Sequence, residues 1–531
     1  MTLSEPTREP TRTDRLLGAL GGLVAGYVSL AVAEVVAAWV RPEAGPVTAV
    51  GGAVIDLTPA PVKEWAIRTF GTSDKAVLLT GILTILALLA AAIGLLALRN
   101  RPAGVAGVLS FGVVGALAAA GRPDSDSAAD MLPSLIGAVA GAALLYVLIG
   151  RLLAQRPSAA PERAARASRR RFLLTAAATV VAATGAAALG RALGGARHED
   201  AVASRTAFRL PRPASAAPAV PRGAQLDVPG IGPFITPNKD FYRIDTALVV
   251  PKVDADGWRL RIAGLGVDGD RTLTLQDLLR RTVIERDITL ACVSNEVGGP
   301  LVGNARWLGV RLADLLREAG VRPPSGGGPA DQIVARSADG MTIGTPVEDV
   351  MDGRDALLAF GMNGEPLPFE HGFPVRMLVP GLYGYVSACK WIVDIELTTF
   401  DAYDAYWVRG GWAAEAPVKT QSRIDTPRSL ARLDEGTVMI AGVAWAQHRG
   451  IARVQVRVDD GPWRDARLAT EDSRDTWRQW VYPWQATPGR HDLTVRATDG
   501  AGDTQTERRT DPMPDGASGW HTIAVTVEAV E

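Results

Sequence analysis

The sequence predicts a multi-domain chain: an all-α membrane region of about five spanning helices, then an α+β domain, then a C-terminal β-sandwich. Three observations carry this. Apolar stretches of near-membrane length crowd into the first 195 of 531 residues, strand-like and helix-like runs mix from Asp227 to about residue 400, and after about residue 430 alternating strands are separated by Asp-Gly and Pro-Gly turns. A chain of this length has room for roughly two to four domains. With 56 Lys+Arg against 57 Asp+Glu the formal net charge is -1, so no overall field favours nucleic acid as a partner.

Stretches 15–40, 76–98, 103–121, 131–150 and 172–190 are uncharged or nearly so, and each approaches the ~20 residues a helix needs to cross the hydrocarbon core. Glu34 is the one acidic interruption deep in a span. Such a carboxylate is a functional candidate, a snorkelling side chain or a contact to a neighbouring helix. The basic residues set the orientation. Arg8, Arg12 and Arg15 precede the first stretch, Arg99 and Arg101 separate the second from the third, and Arg151, Arg156, Arg163, Arg166, Arg169, Arg170 and Arg171 separate the fourth from the fifth. The positive-inside rule makes all three segments cytoplasmic, whereas Asp124, Asp126 and Asp130 suit an outside turn. Five crossings from an inside N-terminus predict a multi-pass cell-membrane protein whose remaining residues are extracytoplasmic.

Ser168-Arg169-Arg170-Arg171-Phe172-Leu173 opens the fifth stretch. The pattern S-R-R-x-F-L resembles the twin-arginine export motif, and the alanine-rich run behind it is less apolar than a general secretory span. The alternative is an ordinary stop-transfer helix with a basic flank. Cargo decides between them, because twin-arginine export serves proteins that take up a cofactor before crossing.

Residues 1–195 thus form the membrane region. Residues 196–226, rich in Pro, Ala and Arg without periodicity, read as an exposed tether. Over 227–400 the strand-like runs WRLRIAGL, VIERDITLAC, DQIVARSA, PVRMLVPG and KWIVDIELTT mix with the helical LTLQDLLRR and VRLADLLREAG, which is α+β patterning. Over 401–531 the runs TVMIAGVAWA, IARVQVRVDDGPW, DTWRQWVYPWQ, GRHDLTVRATDGAG and WHTIAVTVEAV argue for a sandwich of immunoglobulin-like type.

Two clusters carry chemistry. Cys292 ends an apolar strand and is followed by Val293-Ser294-Asn295 and then Gly298-Gly299. A thiolate where a strand opens into a loop binds a soft metal or attacks a substrate, and a packed core cysteine is the plain alternative. Further on, LPFEHGFPVRMLVPGLYGYVSACKW places His371, Arg376 and Lys390 around loops rich in Gly and Pro. Such side chains with exposed backbone amides suit an anion such as phosphate, although solvation alone would account for any one of them. Cys389 is the only other cysteine, and two cysteines make no disulfide scaffold.

Residues 227–530 resemble the sulfite oxidase family of molybdopterin oxidoreductases, including its C-terminal dimerisation domain. Cys292 with Asn295 matches the family's C-x-x-N at the molybdenum-binding cysteine. Gly303-Asn304-Ala305-Arg306-Trp307 with Gly309 and Leu312 matches the segment after it, and His371-Gly372-Phe373-Pro374-Val375-Arg376 with Lys390-Trp391 matches the pterin phosphate-binding region. The resemblance implies one molybdenum–molybdopterin per chain, with Cys292 as the metal's catalytic thiolate ligand. It also implies that His371, Arg376 and Lys390 hold the phosphate end, that Asn295 and Asp339 contact the cofactor, and that the chain forms a homodimer. Cys389 is not required by the pattern and reads as a buried spectator.

Departures from the family bear on the substrate. Members that oxidise sulfite surround the metal with arginines and a tyrosine. Here Ile244 or Asp245 takes the place of one arginine and Thr246 that of a histidine, Val297 replaces another arginine, and Trp412 stands for the tyrosine, with Arg243 displaced by one position. An anion loses binding when its bidentate arginines become apolar, so a neutral or organic substrate such as a sulfoxide or N-oxide is expected, with sulfite as the alternative. The five histidines, His198, His371, His448, His491 and His521, all lie outside the expected spans, which excludes a bis-histidine haem inside them. Electrons then pass to a separate partner or a quinone. A contrasting expectation is a non-catalytic envelope protein that kept the fold and lost the substrate site.

Overall fold

The computed structural model describes residues 11–59, 62, 65–66, 69–70, 74–125, 127–153 and 162–529. Of the residues used above for orientation, Arg8, Asp126 and Arg156 lie outside that set. The chain divides into a helical unit, residues 1–200 with 246–249, and a second unit, residues 201–245 and 250–531.

In the helical unit, α1 (Arg12–Val40) begins at a capping box, in which Thr11 accepts from the Asp14 backbone while the Asp14 carboxylate accepts from Thr11. After it come α2 (Pro46–Leu57), α3 (Asp74–Arg99), α4 (Arg101–Ala120), α5 (Leu132–Leu153) and α6 (Glu162–Ala207). Five helices among the described residues are long and apolar enough to cross a membrane, and they match the five stretches expected. The short α2 was not expected.

Small residues let these helices touch backbone to backbone. A Cβ on Gly22 of α1 would stand 2.0 Å from the carbonyl of Ala90 in α3, and one on Gly137 of α5 would stand 2.4 Å from that of Ser29 in α1. Phe172, from the paired-arginine motif, is fully buried with Val24, Leu145 and Leu148. Arg41, just past α1, donates to Asp124 and Asp130, and Arg122 also pairs with Asp124, so these acids are bound within the bundle. The Glu34 carboxylate lies against Gly45, the N-cap of α2.

Residues 196–226 are not a free tether. Helix α6 continues to Ala207, and Arg205 donates to the carbonyls of Leu367 and Pro366 at 2.7 and 2.9 Å. Beyond it the chain runs extended: Phe208 packs edge-on against Phe360 and Phe373, Ser215 bridges the strand Val283–Ala291, and the Leu226 amide donates to Gln479. Composition misled because scattered prolines suppress ladder pairing without preventing Phe208, Leu210 and Val220 from packing against the core.

Among the described residues the second unit holds four sheets. One is wholly antiparallel, pairing Val283–Ala291, Val302–Arg311, Leu357–Met362 and Glu365–Pro366 in order, with Arg376–Leu378 also on Leu357–Met362. Another orders Arg271–Thr274, Arg259–Gly264, Ile392–Thr398, Gln332–Ser337 and Thr342–Pro346, its one parallel pair joining Arg259–Gly264 to Ile392–Thr398. Towards the C-terminus, a four-stranded and a five-stranded sheet share an apolar cluster containing Ile440, Val454, Trp480, Leu493 and Val525. Each run read above as a strand overlaps an observed strand, while several others, among them Val302–Arg311, Thr342–Pro346, Leu357–Met362 and Gln421–Thr426, were not foreseen.

Candidate active site

Cys292 follows the last residue of its strand, 8% exposed, and its amide donates to the Leu301 carbonyl at 2.9 Å. The loop between them closes on itself. Asn295 donates its amide to the Cys292 carbonyl, and its side-chain oxygen accepts from the Leu301 amide at 2.7 Å. Asn295 therefore shapes the loop that presents the thiol. Gly298 in this loop has φ +79°, and a Cβ there would stand 2.2 Å from the His521 ring, so only glycine fits. Arg423 donates to the Gly299 carbonyl at 2.8 Å. Two residues far along the chain, Arg423 and His521, thus brace the loop after Cys292, which the local sequence gave no means of finding.

Burial pushes the Cys292 thiol up, opposed by hydrogen bonding from Ser294. The Tyr242 phenol is also raised by burial, with opposing influences from Cys292 and Arg376. Cys389 is fully buried with its thiol against the Lys390 carbonyl, and burial raises it too.

The second cluster assembles around Gly372, whose φ is +109°. A Cβ there would meet the Arg376 Cβ at 3.0 Å and the Lys390 Cα at 3.2 Å, so its absence lets the two cations converge. Arg376 is buried, its guanidinium held by the His371 carbonyl at 3.2 Å and 5.0 Å over the Trp307 ring, with no partner for Nε. Burial lowers its pKa to about 10. His371 meets the Asn238 carbonyl through Nε2 at 3.0 Å, and burial with nearby Arg376 holds it at about 4, hence neutral. Lys390 donates to the Glu370 carbonyl and, at 2.7 Å, to Asp245. Asp339 turns its carboxylate onto the Met341 amide, and its pKa is raised by burial against the pull of Lys390. Asp245, noticed in the sequence only as a departure, is the counter-ion of this lysine.

These residues fit a phosphate-bearing cofactor. A buried guanidinium with an unpaired Nε is costly unless an acceptor arrives. A family model described as the oxidoreductase molybdopterin binding domain matches residues 247–407. The uncharacterized oxidoreductase YuiH of Bacillus subtilis is 33% identical over 159 residues, covering 30% of this chain and 74% of that protein. Human mitochondrial sulfite oxidase is 30% identical over 306 residues, 49% of this chain and 55% of that protein. The chain belongs to the sulfite oxidase family of molybdopterin oxidoreductases. It spans about half the length of the curated sulfite oxidases it matches. The sulfane dehydrogenase SoxCD from Paracoccus pantotrophus aligns with 25% identity over 56% of this chain and 84% of that one, at a TM-score of 0.48. Molybdenum–molybdopterin is accordingly the cofactor implied.

For this family member, the buried histidines make a pH prediction. His521 Nδ1 accepts from the Ile424 amide at 3.0 Å, and burial beside Arg423 and Arg509 holds its pKa at about 4. The unfolded chain binds that proton near pH 6.5 and the folded chain does not, so the stabilisation is complete above about pH 6.5 and falls away towards pH 4, by about 2–3 kcal/mol for one such group. Urea midpoints at pH 7 and 4.5 should show a smaller drop for His521→Asn, which keeps an acceptor without titrating.

Proposed function

We propose that the protein is a membrane-anchored oxidoreductase that transfers an oxygen atom to or from a neutral organic substrate, such as a sulfoxide or N-oxide, on the extracytoplasmic side of the cell membrane. The observation that carries this is the pairing of a strand-end thiol at Cys292 with a buried cradle of Arg376, Lys390 and His371. Cys292 would hold the molybdenum, and the cradle with Asp339 and the Asn295 loop would hold the pterin and its phosphate. When bound, the group supplies two-electron exchange of an oxygen atom with substrate. The chain's own part is to keep the thiol buried, fix the loop and present neutral surroundings.

Those surroundings favour a neutral substrate. Val297 is buried and apolar, Asp245 offsets Lys390, and Arg243 lies 4.0 Å from the same carboxylate. Asp245 thereby offsets one of these two cations, which weakens the field for capturing an anion such as sulfite. The basic segments place the N-terminus inside, and the paired arginines at 168–173 suit export after cofactor loading. The C-terminal sheets are read as an immunoglobulin-like domain through which the chain dimerises, with electrons exchanged through a separate protein or a quinone.

Elemental mass spectrometry on protein from a cofactor-producing host should find about one molybdenum per chain. Reduction of a sulfoxide or N-oxide with an artificial donor should then outpace sulfite oxidation at least ~10-fold, the scale on which losing a charged contact acts. Faster sulfite turnover would make it a sulfite oxidase proper. A folded, molybdenum-free chain would make it a binding protein on an inherited fold.

A further inference from the structure

We infer that the arginine-rich end of the helical unit binds the phosphate of an anionic phospholipid, with Arg101 and Tyr146 forming the headgroup site. The inference rests on the membrane-anchored reading above and gives the basic segments a binding role beyond orientation. Packing gathers them at one end. Gly18 of α1 lies against Leu98 of α3, Gly21 of α1 against Phe172 of α6 and Ile149 of α5, and Gly150 of α5 against Arg101 at the start of α4. Arg99, Arg101, Arg151, Arg169, Arg170 and Arg171 therefore share the end of the bundle at which α1 begins. Acids are scarce there: the sequence has no Asp or Glu between Asp74 and Asp124, or between Asp130 and Glu162. Asp14, at the start of α1, is engaged by its Thr11 cap.

Within this end Arg101 is held in place and only partly satisfied. Its guanidinium lies 3.8 Å from the centre of the Tyr146 ring and donates through Nη2 to the Tyr146 carbonyl at 2.7 Å. Its Nε is shielded from water and has no hydrogen-bond partner among the described residues. Tyr146 and Gly150 are four apart and so share one face of α5. A Cβ on Gly150 would stand 2.5 Å from Arg101 Nη2, so the glycine clears the strip along which the guanidinium lies. A stacked guanidinium with a desolvated, unpaired donor suits a phosphate oxygen. The site stands where apolar helices of spanning length end, which makes a lipid the source of that phosphate. Tyr146 is half exposed, as an aromatic at a membrane boundary is, and the exposed Val147 of α5 and Leu109 of α4 offer acyl chains an apolar surface.

The test titrates the full chain, delipidated in an uncharged detergent, with phosphatidylglycerol and counts bound lipid by native mass spectrometry. Phosphatidylglycerol should bind more tightly than phosphatidylcholine, and inorganic phosphate at the same concentration should not displace it. Arg101→Ala should weaken binding about tenfold, the scale of a hydrogen bond to a charged group. Two gentler variants guard against misfolding. Arg101→Lys keeps the charge and loses the planar fork, and Gly150→Ala pushes the guanidinium off Tyr146; both should weaken binding with circular dichroism unchanged. Arg99→Ala, which removes a neighbouring charge outside the site, should cost less than Arg101→Ala. Equal losses in those two would make this end a diffuse basic field and overturn the site, as would displacement by inorganic phosphate or equal binding of phosphatidylcholine. A full chain that stays soluble without detergent would overturn the membrane reading and this site with it.

Discussion

Replacing Cys292 by serine is expected to lower oxygen-transfer turnover by on the order of 10³-fold or more, beyond the 10–100-fold typical of groups that only support a metal ligand. The thiol is buried, and burial raises its pKa, so without a metal it stays protonated. A bound metal reverses that preference, because a coordinating thiol loses its proton outright and repays the burial. A serine hydroxyl is a harder donor whose proton is far more difficult to remove. The fold should lose only about 1–2 kcal/mol, the cost of one poorly satisfied buried hydroxyl. Loss of thiolate-to-metal charge-transfer absorption together with turnover, in a variant with unchanged circular dichroism, is the expected result. Cys389→Ala is the control: that thiol sits fully buried against the Lys390 carbonyl, and its removal should leave molybdenum content unchanged. Equal loss in both variants would mean that burial, rather than ligation, explains Cys292.

Much of this site is legible in the sequence because its residues are local. Cys292 and Asn295 are three apart, and His371, Gly372 and Arg376 fall within six positions, so strand-to-loop patterning and the family resemblance reach them together. The long apolar helices are legible for a different reason: the ~20-residue apolar length that makes a helix a candidate span does not depend on packing partners. What remained hidden depends on distant contacts. Asp245 looked like a lost arginine, and only the fold shows its carboxylate 2.7 Å from Lys390, 145 positions away. For Asn295, expected at the cofactor, the fold adds a contact to the Leu301 amide that its side-chain oxygen accepts. The segment read as an exposed tether is anchored along its length, because Arg205, Phe208 and Leu226 each find a partner that no local window contains.

The same distant contacts predict that the Cys292 strand cannot stand without the C-terminal sheets. A segment ending near residue 420 is expected to remain unfolded, and Trp477→Ala in the full chain should cost about 3–5 kcal/mol, as for other buried aromatics. Thr289, three residues before Cys292, shows why. Its amide donates to the Asp475 carbonyl, its carbonyl accepts from Gln447, and its hydroxyl accepts from the Trp477 amide while donating to Asn304. The Trp477 indole donates in turn to Phe234, and Arg423 holds the Gly299 carbonyl. Truncation strands these groups in a core built to exclude water, at about 1–3 kcal/mol each. Several such losses equal a typical domain's whole stability of about 5–15 kcal/mol. Urea unfolding of Trp477→Ala, followed together with molybdenum retention, separates two outcomes. A lower midpoint with earlier metal loss means that the C-terminal sheets hold the active-site strand in place. A soluble residue 201–420 segment that binds molybdenum with native circular dichroism would instead make those sheets a detachable accessory, leaving Thr289 to satisfy its hydrogen bonds with water.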